Sequence, residues 1–282
     1  MNDMEKKPLV SIIVSAYNEK RDLPKMIMSV LNQNYKNFEL IIVDSHSKDN
    51  TYELAKEFEK KDKRIIVLKQ KEGVTGPGNA WNLAVKNSKG KILFFEGADT
   101  MLGKEYIKDM IRPIVNGERI GTMHVEEKVA NKNNIWARAF GVRTCVDENN
   151  EGIIFAAILR EYYHKAGGFS PELGYADDQS LYEVLRINSL GVKTEIYHHN
   201  PDTLSSIWRH HRWVGASLKY PPLMIAMAPL IPLLALYKTA RQLREDFSFS
   251  LMLFLPVYNL IRYTGYFVGA LRKVVLGRIY PK

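Results

Sequence analysis

The chain has 282 residues, 46% hydrophobic and 25% charged, a composition that excludes a disordered protein and leaves room for one large or two small domains. Its one cysteine, Cys145, excludes an internal disulfide and favours a reducing compartment. The net charge is +9, and residues 203–282 hold all of it, with 11 Lys/Arg against 2 Asp/Glu; that placement argues against a nucleic-acid partner and for a basic tail meeting something anionic.

The start, Met1 to Lys7, is charged, and the apolar run Leu9–Val14 is too short for a signal peptide. Leu9–Ala16 is a β-branched run that predicts a buried strand, left through Tyr17-Asn18-Glu19. Asp22 is placed to cap a helix with Pro24 in its first turn, and Leu23, Ile27, Val30 and Leu31 share its apolar face. Phe38–Val43 is a second strand, ending in Asp44; Asp49-Asn50-Thr51 opens a helix with Leu54, Ala55 and Phe58 inward; Arg64–Leu68 is a third strand. The loop Gly73–Gly78 fits neither glycine-rich phosphate motif by spacing. A helix at Asn79–Asn87 and a strand at Ile92–Phe95 follow, and the strand exits through Glu96, Gly97, Ala98 and Asp99. Strands alternating with helices predict βαβ units and a mostly parallel, Rossmann-like α/β sheet flanked by helices. Such units bring the ends of the first, second and fourth strands to one edge, so Tyr17, Asp44 and Asp99 are expected in one crevice. A carboxylate there can hold a divalent cation, and the cation phosphate oxygens; the plainer alternative is a solvated loop Asp. Beyond residue 117 the pattern loosens. Arg119–Val129 reads as a strand, Asn133–Phe140 as a short helix, and Gly152–Leu159 is ambiguous. A turn-rich loop at 167–178 leads into a helix at Gln179–Asn188, and Lys193–Tyr197 is a last strand before His198-His199.

Four stretches in this order resemble family-2 glycosyltransferases of the GT-A fold. Val10–Glu19 is similar to the family's opening strand, and Leu40–Thr51 to its nucleotide-binding strand and turn. Phe95–Thr100 stands where the family carries Asp-x-Asp, and Gly167-Gly168-Phe169 followed by Asp177-Asp178 where it carries an acceptor-side Glu-Asp pair. The resemblance implies transfer from a nucleoside-diphosphate sugar, UDP- or GDP-linked. It implies donor contacts at Ala16, Tyr17, Glu19, Asp44, Asn82, Glu96, Gly97 and Ala98, with Asp44 accepting from base or ribose, and Mg2+ or Mn2+ on Asp99. Asp178 would be the general base of an inverting transfer, supported by Asp177; Asp178 also fits a plain helix N-cap. The chain departs from the family at Gly97, where an Asp is usual, leaving that contact absent or supplied by Glu96. Ala80-Trp81-Asn82 replaces Ala-Arg-Asn and removes a cation from the donor side. Trp208–Trp213 resembles the Gln-x-x-Arg-Trp motif of membrane-bound members, with Arg209 in place of Gln. That implies Arg212 and Trp213 over the donor diphosphate and acceptor; the same residues also fit an interfacial basic helix. His198 and His199 are candidate metal or phosphate ligands, or structural histidines.

In the tail, the apolar segment Leu218–Tyr237 is broken by Pro229 and Pro232, and Phe247–Leu271 contains Pro256, Asn259 and Arg262. Lys238, Arg241 and Arg244 lie between them. A hairpin through the bilayer and a pair of interfacial helices both remain open, and both predict a membrane-associated protein with a cytoplasmic catalytic domain. The expected division is a catalytic domain over 1–203 and hydrophobic membrane-associated helices over 204–282. The expected function is metal-dependent transfer of a sugar to a lipid-linked, polyprenyl-type or glycan acceptor, with membrane lipids as partners. Alternatives are a polyprenyl-phosphate sugar synthase and a non-catalytic nucleotide-sugar-binding protein with a degenerate transferase domain.

Overall fold

The computed structural model of the chain describes residues 7–74, 76–171 and 177–277. Thr75 and residues 172–176, within two of the expected loops, lie outside the described residues. The chain forms two compact units, one built from Met1–Lys128, Val142–Glu172 and Asp177–His198, the other chiefly from Val129–Gly141 and His199–Lys282.

In the first unit the expected alternation is found: β1 (Val10–Ala16), α1 (Leu23–Leu31), β2 (Phe38–Asp44), α2 (Thr51–Lys61), β3 (Ile65–Lys69), α3 (Pro77–Lys86) and β4 (Ile92–Gly97). β1 pairs in parallel with both β2 and β4, and β2 with β3. Alternate residues of β1 feed two cores. Val10, Ile12 and Val14 pack with Leu23, Met26 and Ile27 of α1; Ile13 packs with Ile41, Leu93 and the α3 residues Ala80 and Ala84. Both faces are covered, which is why these strands read as unbroken apolar runs. Each such buried Ile or Val contributes about 1.5–3 kcal/mol of transfer free energy.

The later part follows a less regular course: β5 (Thr100–Leu102), α4 (Tyr106–Val115), β6 (Gly121–His124), β7 (Glu126–Val129), α5 (Ile135–Phe140), β8 (Arg143–Thr144), β9 (Glu151–Gly152), β10 (Ala157–Leu159), α6 (Arg160–Lys165), α7 (Ser180–Leu185), β11 (Ser189–Val192) and β12 (Ile196–His198). The large sheet runs β3-β2-β1-β4-β10-β6-β11-β9, and a small one runs β5-β12-β7-β8. The single strand expected at Arg119–Val129 is two strands in different sheets. The chain changes sheet at Val125, whose N–H donates to Val192 O at 3.2 Å and whose carbonyl accepts from Cys145 N at 2.9 Å. The helix expected at Gln179–Asn188 ends at Leu185, because Arg186 turns left-handed at φ 53°. The strand expected at Lys193–Tyr197 is likewise replaced by β11 and β12.

The second unit is helical. α5 starts at Asn134, whose side chain accepts from the N–H groups of Trp136 and Ala137. α8 (Leu204–Ala216) starts on a Thr203/Ser206 capping box. α9 (Pro221–Ala226), α10 (Ile231–Glu245) and α11 (Phe249–Leu276) follow. α8 and α11 meet backbone to backbone: a Cβ on Gly215 would sit 2.2 Å from Tyr266 O, and one on Gly269 2.1 Å from Arg212 O. Among the described residues no helix is long and apolar enough to cross a membrane. The bilayer hairpin is therefore not found. α11 has the length, 28 residues, but Pro256, Asn259 and Arg262 interrupt its apolar run.

Candidate active site

The register brings the expected strand ends together. Ala16 lies opposite Asp44, and Ser15 opposite Gly97, so the exits of β1, β2 and β4 share one edge. The first two exits are laced to each other. Ser45 N donates to Ala16 O at 2.8 Å, Asn18 N to Ser47 Oγ at 2.9 Å, Lys48 N to Asn18 Oδ1 at 2.8 Å and Glu19 N to Thr51 Oγ1 at 2.9 Å. This lacing needs left-handed turns at Asn18, His46 and Asn50; Asn tolerates that region better than other non-glycine residues. Tyr17 stands exposed at the mouth. Asp44 is 1% exposed; its Oδ2 accepts from Ser47 N at 3.2 Å, and its Oδ1 is buried without a hydrogen-bond partner.

At the end of β4, Asp99 meets His198 of β12, with Oδ2 and Nε2 3.4 Å apart. Pairing of β12 with β5 places His198 opposite Thr100 and so fixes this approach. Burial opposes charge on His198, but Asp99 and Glu127 outweigh it and hold its pKa above the usual value. Gly97 matters by what it lacks. A Cβ there would lie 2.5 Å from Asp99 Oδ1, so the Asp99 carboxylate is folded into space that a side chain at 97 would claim. Carboxylate and imidazole together suit Mg2+ or Mn2+, the second ion better, since it tolerates a nitrogen ligand.

Glu96 faces away from this pair into a buried chain of polar groups. Tyr106 donates its hydroxyl to Glu96 Oε1 at 2.6 Å and lies 2.9 Å from His124 Nδ1; His124 Nε2 is 3.1 Å from Glu127 Oε1, and Arg143 Nη1 donates to Glu127 Oε2 at 3.1 Å. Burial pushes Glu96 up to about 7. Burial also opposes charge on His124, but the hydrogen bonds with Cys145 and Glu127 and the charge of Glu96 carry it up to about 10. For Glu127, burial is outweighed by Arg143 and the histidines, which bring it down to about 2. Among the described residues, His124, Glu127 and Cys145 form the one cluster of three possible metal ligands, their atoms within 4.8 Å of one another. A proton on His124 already supplies the positive charge at that point. Sequence reading missed this chain of groups, because its members fall where the strand pattern breaks.

Asp177 and Asp178 differ in what they touch. Asp177 is 3% exposed, and its Oδ2 accepts from Gly78 N at 2.7 Å, in the first turn of α3. A carboxylate there satisfies an orphan helix N–H. Asp178 is not a helix cap: the cap position of α7 belongs to Gln179, which makes no side-chain cap bond. Asp178 Oδ1 is buried without a hydrogen-bond partner. Burial and then the neighbouring Asp177 charge raise Asp178 to about 7, and burial raises Asp177 to about 6. Asn82 is spent on structure. Its Oδ1 accepts from Tyr163 OH at 2.6 Å and Phe169 N at 3.0 Å, and its Nδ2 donates to Phe169 O at 2.9 Å. Trp81 packs its ring on Phe169 and Phe95, with centroids 4.9 and 5.9 Å away.

His199, Arg209, Arg212 and Trp213 belong to the second unit. There His199 Nε2 is 3.3 Å from Asp202 Oδ2, and Trp213 is buried on α8.

A sequence model described as "Glycosyl transferase family 2" matches residues 11–184. An uncharacterized glycosyltransferase of Haemophilus influenzae is 28% identical over 233 residues, 74% of this chain and 71% of that protein. A beta-monoglucosyldiacylglycerol synthase of Trichormus variabilis is 30% identical over 138 residues, 46% of this chain but 29% of its own length. The match to glycosyltransferase GlyA of Streptococcus pneumoniae spans 15% of that relative. Two solved structures share the fold. The mannosyltransferase PcManGT from Pyrobaculum calidifontis, in complex with GDP-Man and Mn2+, has a TM-score of 0.57 at 18% identity, covering 99% of this chain and 90% of its own. S. aureus TarS 1–349 in complex with UDP has a TM-score of 0.55 at 16% identity, covering 96% and 93%.

Proposed function

The chain belongs to glycosyl transferase family 2, and on that premise we propose that it is an inverting glycosyltransferase, moving a sugar from a nucleoside-diphosphate sugar to an acceptor hydroxyl at a membrane surface. The observation that carries the hydroxyl acceptor is Asp178: a half-buried carboxylate with one oxygen lacking a partner and a pKa raised to about 7. Such a group takes a proton readily near neutrality. Asp178 accepts the acceptor's hydroxyl proton as that oxygen bonds to the anomeric carbon. The bond from that carbon to the diphosphate breaks on the opposite side, which inverts the centre. Asp177 is a positioning residue, tied to α3 through Gly78 N.

On the donor side, Asp44 Oδ1 is a buried acceptor awaiting a donor, which suits a ribose hydroxyl or base N–H. Asp99 with His198 would hold Mg2+ or Mn2+. Once bound, the ion offers Lewis-acid stabilisation to the charge gathering on the departing diphosphate. That a neighbour of the same fold carries GDP-Man and Mn2+, and another UDP, supports this donor class without choosing the base. A membrane-surface acceptor draws support from the basic tail and from exposed apolar residues such as Leu233 and Tyr237 on α10 and Leu253 and Val257 on α11.

A polyprenyl-phosphate acceptor is the second reading; an ionised phosphate needs no base, and Asp178 would then be idle. A panel of UDP- and GDP-sugars with Mn2+ or Mg2+ separates these. One donor is expected to raise the melting temperature and to be consumed only with a hydroxyl acceptor. A donor that raises the melting temperature but is consumed with no acceptor would refute the enzyme reading in favour of the binding-only one that Gly97 and Trp81 suggest, and a folded protein that answers to no donor would refute both.

A further inference from the structure

Three residues of the buried polar chain carry metal-ligand chemistry that the transfer reaction does not use. His124 ends β6, Glu127 lies in β7, and Cys145 follows β8. Their ligand atoms lie within 4.8 Å of one another, with His124 Nε2 and Glu127 Oε1 3.1 Å apart. Nitrogen and oxygen ligands of one tetrahedral Zn2+ stand about 3.3 Å apart, given bonds of about 2.0–2.1 Å. A thiolate, an imidazole and a carboxylate together suit Zn2+ better than Mg2+, which prefers oxygen throughout.

The backbone holds all three in place. Glu127 is paired with Arg143 across β7 and β8, and Glu126 with Thr144. Cys145 N donates to Val125 O at 2.9 Å, which pins the cysteine to the residue beside His124. His124 is 2% and Glu127 9% exposed, while Cys145 is half-buried, so the thiol side is the way in.

Each of the two buried ligands also has an outer partner, as metal ligands do. Arg143 Nη1 donates to Glu127 Oε2 at 3.1 Å, and Oε1 is left facing the histidine. Tyr106 gives its one hydroxyl proton to Glu96 at 2.6 Å, so at 2.9 Å it accepts from His124 Nδ1–H. That bond fixes the imidazole and makes Nε2 its ligand atom. The charge balances as well. Binding exchanges one Zn2+ for two protons, one from the His124 imidazolium and one from the Cys145 thiol, so the buried charge is unchanged.

We propose that His124, Glu127 and Cys145 bind one Zn2+, and that the ion staples the chain where it passes from the large sheet to the small one. The site shares no residue with the Asp99–His198 pair, and it does not rest on the transferase reading.

The test uses the full chain, stripped with EDTA and freed of chelator, with Co2+ as the visible probe for Zn2+. Wild type is expected to take up one Co2+ per chain with a thiolate-to-metal charge-transfer band that added Zn2+ abolishes. Zn2+ is expected to raise the melting temperature. Cys145→Ser should lose the band, and Tyr106→Phe should keep it but bind Zn2+ about tenfold more weakly. Asp99→Ala should keep both the band and the melting response. A response lost in Asp99→Ala but kept in Cys145→Ser would assign the ion to the β4 exit and overturn the proposal. A folded wild-type chain that takes up neither ion would overturn it too, leaving the cluster a proton-held ion pair. Should Cys145→Ser not fold, the wild-type band decides alone, because Cys145 is the chain's one cysteine: its presence upholds the site and its absence overturns it.

Discussion

The sheet edge and the helical unit both bury polar groups, but they settle them differently. Around the edge, buried charges come with partners close by: Glu127 has His124 and Arg143, Asp177 has Gly78 N, Asp99 has His198. Among the carboxylates there, Asp44 Oδ1 and Asp178 Oδ1 are left without partners, while the one unpartnered buried side-chain donor of this unit, among the described residues, is Trp81 Nε1. In the helical unit the unpartnered buried atoms include a charged donor, Arg262 Nε, along with the neutral acceptor Asn259 Oδ1. The difference teaches that an unpaired buried atom is informative by its sign. Carboxylate oxygens without partners suit proton or hydroxyl donors, and a guanidinium without one suits an anion.

The largest effect expected from breaking this pattern is at Asp178. Asp178→Asn keeps the shape but removes the base, and transfer to a hydroxyl acceptor is expected to fall by about a thousandfold with donor affinity unchanged. The raised pKa gives this a pH signature. In wild type, activity rises through about pH 7 as Asp178 ionises. Its effect on stability runs the other way. The folded pKa lies above the usual 3.8, so the folded state binds the extra proton, and its contribution to stability is lost as pH climbs from about 3.8 to about 7. Denaturant titrations of the metal-free protein should show that slope, and Asp178→Asn should flatten it. A slope unchanged in the variant would place the raised group elsewhere.

Next in size is Asp99→Ala. Donor affinity in Mn2+, read by calorimetry, is expected to weaken about tenfold or more, while affinity in EDTA stays the same. Equal affinity for wild type and variant in Mn2+ would remove Asp99 from the metal site. The smallest effects compare the two regions directly by urea denaturation. Asn82→Ala strands the Tyr163 hydroxyl and Phe169 N–H and is expected to cost about 1–3 kcal/mol. Gly269→Ala forces a methyl against Arg212 O and is expected to cost about 1–3 kcal/mol by overpacking. Only the first should also depress transfer, because it loosens the loop that precedes the base.

The parallel half of the sheet was legible in the sequence because its order comes from local facts: β-branched runs, short links and Asp at strand ends. β1, β2 and β4 lie where the apolar runs do, and their exits share an edge as expected. The antiparallel half was not, because β6 and β7 form one run in sequence and part only through the tertiary partners Val192 and Cys145. For the same reason the Glu96–Tyr106–His124–Glu127 chain of groups left no sequence signal; its members are joined across α4, β6 and β7. Asn82, expected at the donor, is bonded to Tyr163 and Phe169, contacts that separations of 81 and 87 residues hide from any local reading.

α3 is gripped twice from outside, by Asp177 and by Phe169. Asp177 holds its first turn through Gly78, and Asn82, a turn further on, holds Phe169. A rod clamped at two points cannot swivel under one clamp alone. Any tilt of α3 is therefore passed on to Asp177 and Phe169 together, which makes this helix a lever on the position of Asp178.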